Sequence, residues 1–325
     1  MHPVYSELLD TARVVSLPLV QRFRGITVRE ALLMRGPEGW TEFSPFVEYD
    51  DAEAATWLEA AIDFGWVPQP EPLRTMVRVN ATVPAVEAEA VAGVLARYPG
   101  CRTVKVKVAE RGHALAEDVA RVSAVRSQLG PEGRIRVDAN GGWGVDDAER
   151  ALRTLAEFDL EYAEQPCASV RELANLKERI EDLGIPIAAD ESVRKAFDPL
   201  AVARAGAADI LIIKAQPLGG ISAARRIVAE AGLPVVVSSA LDTSVGLSMG
   251  ALLAASIPDV DYDCGLGTAA LLAGDVSAHP LLPVNGTIPV RRVEAREELL
   301  ARYAATPERT AWWLDRLERC RRLLD

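Results

Sequence analysis

Histidine is scarce in this chain of 325 residues, which has only His2, His113 and His279. That shortage removes most imidazole-based catalysis and histidine-rich metal sites, leaving acid–base work to lysine and carboxylate. The four cysteines, Cys101, Cys167, Cys264 and Cys320, stand far apart with no C-x-x-C pair. Neither a zinc ribbon nor a disulfide framework is therefore expected, and a reducing cytoplasm suits them. Aromatic residues make up 6%, too few for stacking platforms. Long apolar runs are missing too. The best, 245–257, carries serines within or beside it and falls short of the roughly 20 residues of a membrane span. The first ten residues include Glu7 and Asp10 and no basic start before an apolar stretch, so no signal peptide is expected. Basic residues number 36 against 47 acidic ones, a net charge of −11 that disfavours nucleic acid and anionic membrane as partners. No obligate protein partner is evident either, which leaves a small molecule.

What is present is a large apolar fraction, 49%, enough for a substantial core. From residue 76 onward, short β-branched runs alternate with Ala/Arg/Glu/Leu-rich helical stretches. The runs are 76–83, 103–108, 134–140, 160–166, 185–192, 208–216, 234–240 and 260–266. Helical patterns at 85–97, 115–129, 146–158, 169–183, 198–204, 221–231 and 244–256 separate them. Eight strand runs with a helical stretch between each and the next predict parallel strands closing into a (β/α)8-type barrel. Residues 1–75 read differently: strand-like segments 27–35 and 40–48, a helix over 52–62, then a proline-rich connection. The expected organisation is thus an α/β chain with an α+β capping domain over 1–75, a catalytic barrel over 76–284, and a segment 285–325 packing back on both. A charged helix at 306–324 closes that tail.

In a parallel barrel, functional side chains sit at the C-terminal strand ends. The second run ends in Lys105-Val-Lys107, whose alternation puts both lysines on one face. A lone K-x-K is most often a solvated edge, but a strand inside a parallel series has both faces covered. Later runs end in Asp138-Ala-Asn140, Glu164-Gln-Pro166, Asp190-Glu191 and Lys214. Singly, each acid would read as a turn or helix cap. Together they recur at 26 residues from Asp138 to Glu164, 26 to Asp190, 24 to Lys214 and 25 to Ser239, one β/α unit each. Three neighbouring carboxylates repel unless a cation holds them, and oxygen ligands without His or Cys favour a hard ion. Mg²⁺ is expected, with Mn²⁺ not separated from it by ligand type.

A hard metal between lysines suits removal of a proton from carbon beside a carboxylate. The base must be neutral, against an ordinary lysine pKa of about 10.4, and a nearby dication and a second ammonium both push in that direction. The set Lys105-x-Lys107, Asp138-Ala-Asn140, Glu164-Gln-Pro166, Asp190-Glu191 and Lys214 resembles the enolase superfamily over the whole chain. The lysine pair, with no His at the sixth and seventh strand ends, resembles the branch holding o-succinylbenzoate synthases, N-acylamino acid racemases, dipeptide epimerases and muconate cycloisomerases. The stretches Ser238 to Leu247, Gly265-Leu-Gly-Thr268, Phe23-Arg-Gly25 and Glu42 to Phe46 look most like the o-succinylbenzoate synthase family.

That resemblance implies Mg²⁺-dependent dehydration of 2-succinyl-6-hydroxy-2,4-cyclohexadiene-1-carboxylate to 2-succinylbenzoate, a step of menaquinone synthesis. It implies Lys107 as base and then acid, Lys214 as the electrostatic group on the opposite face, and Lys105 as the residue tuning Lys107. It implies Asp138, Glu164 and Asp190 as metal ligands, with Ser238, Ser239, Gly265 and Arg24 around the substrate and a loop at 44–46 helping to close the cavity. N-acylamino acid racemase and dipeptide epimerase remain the alternatives, the latter because Asp261-Tyr-Asp263 is reminiscent of the D-x-D that grips a substrate ammonium. Trp312-Trp313 read as packing of the tail, His113 as a solvated loop residue, His279 as the end of a turn before Pro280, and the cysteines as inert.

Overall fold

The computed structural model describes residues 3–194 and 198–324; His2 lies outside them. A short helix α1 (Tyr5–Asp10) leads into a three-stranded antiparallel meander, β1 (Arg13–Phe23), β2 (Ile26–Gly36) and β3 (Gly39–Phe43), followed by helix α2 (Asp51–Trp66). The long β1 was not expected from the sequence. Pro18 interrupts its run, and the pairing with β2 shifts register between Pro18 and Phe23, as a bulge does. Helix α2 starts at Asp50, whose side chain accepts from the Glu53 amide, and packs against β3.

The expected first barrel strand is divided. β4 (Met76–Arg78) pairs antiparallel with a late strand, β12 (Thr287–Pro289), while β5 (Ala81–Val83) begins the parallel sheet. There follow α3 (Val91–Leu95), β6 (Thr103–Lys107), α4 (Leu115–Leu129), β7 (Arg134–Asp138), α5 (Val145–Leu155), β8 (Leu160–Glu164), α6 (Val170–Arg179), β9 (Ile187–Ala189), α7 (Glu191–Arg194), α8 (Ala201–Arg204), β10 (Ile210–Ile213), α9 (Ile221–Ala231), β11 (Val235–Val237) and α10 (Ser244–Ser256). The seven strands β5 to β11 lie side by side in chain order, all parallel.

The eighth position differs from expectation. No strand forms over 260–266; instead Gly265 bridges Ser238 on one side and Cys264 bridges Val79 on the other, closing the curled sheet with single contacts. A Cβ at Gly265 would meet Ser238 Oγ at 2.3 Å, so this approach requires glycine.

Local sequence explains the helices that matter. α5 buries Ala148, Ala151, Leu152 and Leu155 on one stripe. α6 opens with a reciprocal cap between Ser169 and Glu172. All thirteen residues of α10 are buried, because β3 of the cap covers the side that the barrel leaves open. This accounts for the apolar run at 245–257, and among the described residues no helix is long and apolar enough to cross a membrane. The tail adds α11 (Glu297–Arg302) and α12 (Pro307–Arg322). α12 seats Trp313 and Leu317 beside Phe43 and Trp57 in a core of the cap's own. Trp313 is fully buried, edge-on to Phe43 at 5.8 Å, and is packing rather than a ligand platform.

Candidate active site

The charged strand ends converge as the β/α interval predicts. Lys105 and Lys107 leave β6 on one face, and both are buried. Lys107 stands in register with Asp138, and Asp138 with Glu164, so two carboxylates are direct cross-strand neighbours. Like charges so placed destabilise a sheet unless countered. Lysines counter them here: Lys107 Nζ donates to Asp138 Oδ2 at 2.5 Å and to Asn140 Oδ1 at 2.6 Å. Lys105 Nζ donates to Glu164 Oε1 at 2.7 Å and lies 3.1 Å from Asp138 Oδ2. At the far side, Lys214 Nζ donates to Asp190 Oδ2 at 2.6 Å.

The electrostatics are uneven around this ring. Burial opposes the charge of Asp138, but Lys107 and Lys105 hold its carboxyl far below the usual range. Asp190 is also buried, yet Lys214 and Arg194 bring it down to about 2. Glu164 goes the other way: burial and then Asp138 push it up to about 7, and its Oε2 is buried without a partner. Burial opposes the charge of Lys105, but Glu164 and Asp138 hold it charged. Burial lowers Lys214 despite Asp190. Among the described residues no three acidic, His or Cys side chains already converge as a ligand cluster; the carboxylates turn to the lysine ammonium groups instead.

Above the ring is a cleft of about 500 Å³, counting its open side. Lys105, Lys107, Asp138, Asp190 and Lys214 line it, together with all four residues expected at the substrate: Arg24, Ser238, Ser239 and Gly265. Glu164 lies beneath the lining. Ser239 Oγ donates to the Gly265 carbonyl at 2.8 Å and meets Thr268 Oγ1 at 2.8 Å. Non-glycine residues follow four strand ends in the left-handed region, Ala109 (φ 59°), Asn140 (φ 47°), Gln165 (φ 38°) and Leu241 (φ 64°). Strain of this kind is tolerated where surrounding contacts fix the turn, and it gathers at working sites.

Several wall residues make contacts that the sequence did not point to. Arg194 donates to Asp190 Oδ1 at 3.1 Å, Glu191 Oε1 at 2.7 Å and the Tyr49 hydroxyl at 3.1 Å, linking a barrel carboxylate to the cap. Phe23 places its ring 5.6 Å from Lys107 Nζ. Arg29 and Glu42, both buried in the cap sheet, grip the loop after β11. Arg29 Nε donates to the Leu241 carbonyl at 3.1 Å. Glu42 accepts from Thr243 Oγ1 at 2.6 Å, Gly246 N at 3.0 Å and Ser44 Oγ at 2.6 Å, capping α10 from another part of the fold. Phe23 and Glu42 stand in stretches that look like the o-succinylbenzoate synthase family, but nothing local marks Arg194 or Arg29, or the partners that Glu42 finds; those contacts are long-range.

Other candidates fall away from the cleft. Asp263 accepts from Thr103, the first residue of β6, at 2.8 Å and pairs with Arg78 at 3.0 Å, at the opposite end of the barrel. Asp261 offers its carbonyl to Arg78 there. His113 Nδ1 meets Arg121 at 3.1 Å, and His279 lies in the late loop. No disulfide forms among the cysteines, and burial raises all four thiols, Cys101 and Cys264 to about 12.

Known proteins share this arrangement. Residues 86–294 match the family model described as enolase C-terminal domain-like, and residues 14–65 the one described as enolase N-terminal domain-like. The chain is 55% identical to an o-succinylbenzoate synthase of Thermobifida fusca over 96% of each chain. It is 52% identical to one of Mycolicibacterium smegmatis over 99% of this chain and 98% of the relative. Among solved structures, muconate lactonizing enzyme from Pseudomonas fluorescens, complexed with muconolactone, superimposes with a TM-score of 0.78 at 20% identity, covering 91% of this chain and 98% of its own. That last likeness establishes the capped-barrel fold alone.

Proposed function

The chain belongs to the o-succinylbenzoate synthase family of the enolase superfamily, and on that premise we propose that it dehydrates 2-succinyl-6-hydroxy-2,4-cyclohexadiene-1-carboxylate to 2-succinylbenzoate, in menaquinone synthesis. One observation carries the reading: Lys107 and Lys214 face a single cleft from strands four places apart, above three adjoining buried carboxylates. The reaction removes hydrogen from the carbon beside a carboxylate and hydroxide from its neighbour, leaving an aromatic ring. Lys107 Nζ takes the proton and returns it to the departing hydroxide, so water leaves and the base is restored. Asn140 and Asp138 aim that nitrogen. Lys105 holds the adjacent carboxylates, and Lys214 offsets negative charge from the opposite face. Ser238, Ser239 and Gly265 shape the end of the cleft for the succinyl tail, and Arg24 closes it from the cap.

Asp138, Glu164 and Asp190 would hold Mg²⁺, or Mn²⁺ with the same preference for oxygen. The fit rests on an all-oxygen donor set, on two carboxylates set side by side, and on the unpartnered Glu164 Oε2. Bound there, the ion supplies positive charge against the charge that builds on the substrate carboxylate. A small-molecule dicarboxylate substrate and four unpaired thiols suit an enzyme of the cytoplasm.

N-acylamino acid racemisation is the second reading, favoured by a lysine on each face with Lys214 lowered by burial. Dipeptide epimerisation is not, since Asp261 and Asp263 stand at the other end of the barrel. The test is steady-state turnover of the cyclohexadiene with Mg²⁺, beside an N-succinylamino acid in D₂O, for wild type and Lys107→Ala. Dehydration far faster than deuterium exchange is expected, reduced about 10⁴-fold in the variant. Exchange and racemisation without dehydration would overturn the synthase in favour of the racemase.

A further inference from the structure

Beside the reaction cleft lies a second cavity of about 610 Å³, counting its open side, which shares Phe23, Arg24, Lys107 and Asn140 with it. One wall belongs to the cap. Arg24 (φ 48°) and Gly25 (φ 79°) make the tight turn between β1 and β2, the geometry of a two-residue hairpin loop, and it presents Arg22 and Arg24. The facing wall is the loop after β6, with Lys107 and Arg111. Glu110 is the only acid among the described lining residues. Arg22 and Arg111 are exposed, and neither has an acidic partner among the described residues.

An unpaired surface arginine is ordinarily just solvated. Here cations from two different parts of the fold face each other across a seam that opens onto the cleft, in a chain of net charge −11. Lys107 is already held by Asp138, and Arg24 lies 3.8 Å from Glu48, so Arg22 on one wall and Arg111 on the other are the charges left to meet an anion between them. We propose that this antechamber is an anion-collecting entry site that gathers a dicarboxylate and passes it to the reaction cleft. The local field runs against the protein's overall charge, so it acts within about a Debye length, ~8 Å at physiological salt, and selects for ligands of double negative charge. The inference rests on the dicarboxylate substrate of the preceding section and adds a site that the chemical step does not use.

The test is kcat/KM for the cyclohexadiene dicarboxylate as a function of ionic strength, with Mg²⁺, for wild type, Arg22→Glu, Arg111→Glu and the double variant. Arg225→Glu, on the outer helix α9, changes net charge equally and serves as the control. In the wild type kcat/KM falls as salt rises. Each reversal lowers it about fivefold at low salt, the double variant flattens the salt dependence, and the effect is confined to kcat/KM. A wild-type kcat/KM indifferent to salt, or reversals that act equally from Arg225, would overturn the site. Calorimetric titration with 2-succinylbenzoate separates this inference from the assigned reaction. Salt-sensitive binding that the reversals abolish supports the antechamber whether or not turnover is seen, whereas binding indifferent to both salt and the reversals removes it.

Discussion

The two ends of the barrel both bury ionic networks, and they are built in opposite ways. At the N-terminal end Arg136 is fully buried, with Glu161 at 2.5 Å, the Asn80 side chain and the Asp263 carbonyl on Nη1, and the rings of Tyr162 and Tyr262 nearby at 4.8 and 5.8 Å. Cation and acid alternate there, and an aromatic girdle fills the remaining space; only Nη2 lacks an acceptor. At the C-terminal end Asp138 and Glu164 stand side by side in register, Asp190 follows, and one carboxylate oxygen has no partner. Buried charge alone therefore does not mark a site. What marks it is like charge set against like charge, held by lysines whose ammonium groups face an open cleft.

The largest effect that sharpens this contrast comes from exchanging the ends in one experiment. Lys107→Ala should remove about 10⁴-fold of turnover while leaving thermal unfolding close to wild type. Arg136→Ala should do the reverse, destabilising the fold by about 3 kcal/mol because the Glu161 carboxylate loses its nearest counter-charge and the Asp263 carbonyl its donor, with kcat of the folded enzyme retained. If Arg136→Ala instead lowered kcat as steeply as Lys107→Ala, the two ends would form one working unit and the comparison would break. A smaller effect follows from metal. Mg²⁺ at a hundredfold excess over its dissociation constant should stabilise wild type by about 2.7 kcal/mol, read as a rise in Tm. Glu164→Gln should lose most of that rise and, without metal, be at least as stable as wild type, since it removes one of two repelling carboxylates. A variant that keeps the full Mg²⁺ response would take Glu164 out of the ligand set.

The top of the barrel was legible in the sequence because a parallel barrel repeats. One β/α unit carries each strand end to the next, so a charged residue every 24 to 26 positions from Asp138 to Lys214 projects onto one mouth. The remaining parts had no such period. β1 is hidden because Pro18 makes its run read as broken, while the fold absorbs the proline at a register shift. The eighth strand is lost because Gly265 and Gly267 favour close backbone approach over pairing, and Asp263 turns to Thr103 and Arg78. Arg194 reaches Tyr49 across 145 residues, and Glu42 reaches Thr243 across 201. Contacts of that span arise from tertiary closure and leave no mark in local patterning.

Glu42 also offers the smallest test, and the one that asks whether the cap shares the upper end's imbalance. Burial and then Asp242 raise its carboxyl to about 7, although Ser44, Thr243 and Gly246 all aim donors at it. An acid raised in the folded state binds its proton more tightly than in the unfolded chain, so its stabilising contribution is full below an ordinary glutamate pKa of about 4.3 and declines as pH rises through about 7. Asp242, raised by burial, works in the same direction. Denaturant unfolding between pH 4.5 and 7.5 should therefore show the wild type losing stability relative to Glu42→Gln as pH rises. The variant should gain no stability at low pH, where the glutamate is already neutral. Because Glu42 caps α10 beside the loop that carries Ser239 and Leu241, KM should rise with pH in the wild type only if loosening that cap reaches the cleft. An unfolding difference that does not change with pH would mean that Glu42 keeps its charge throughout, and that its donors outweigh its burial.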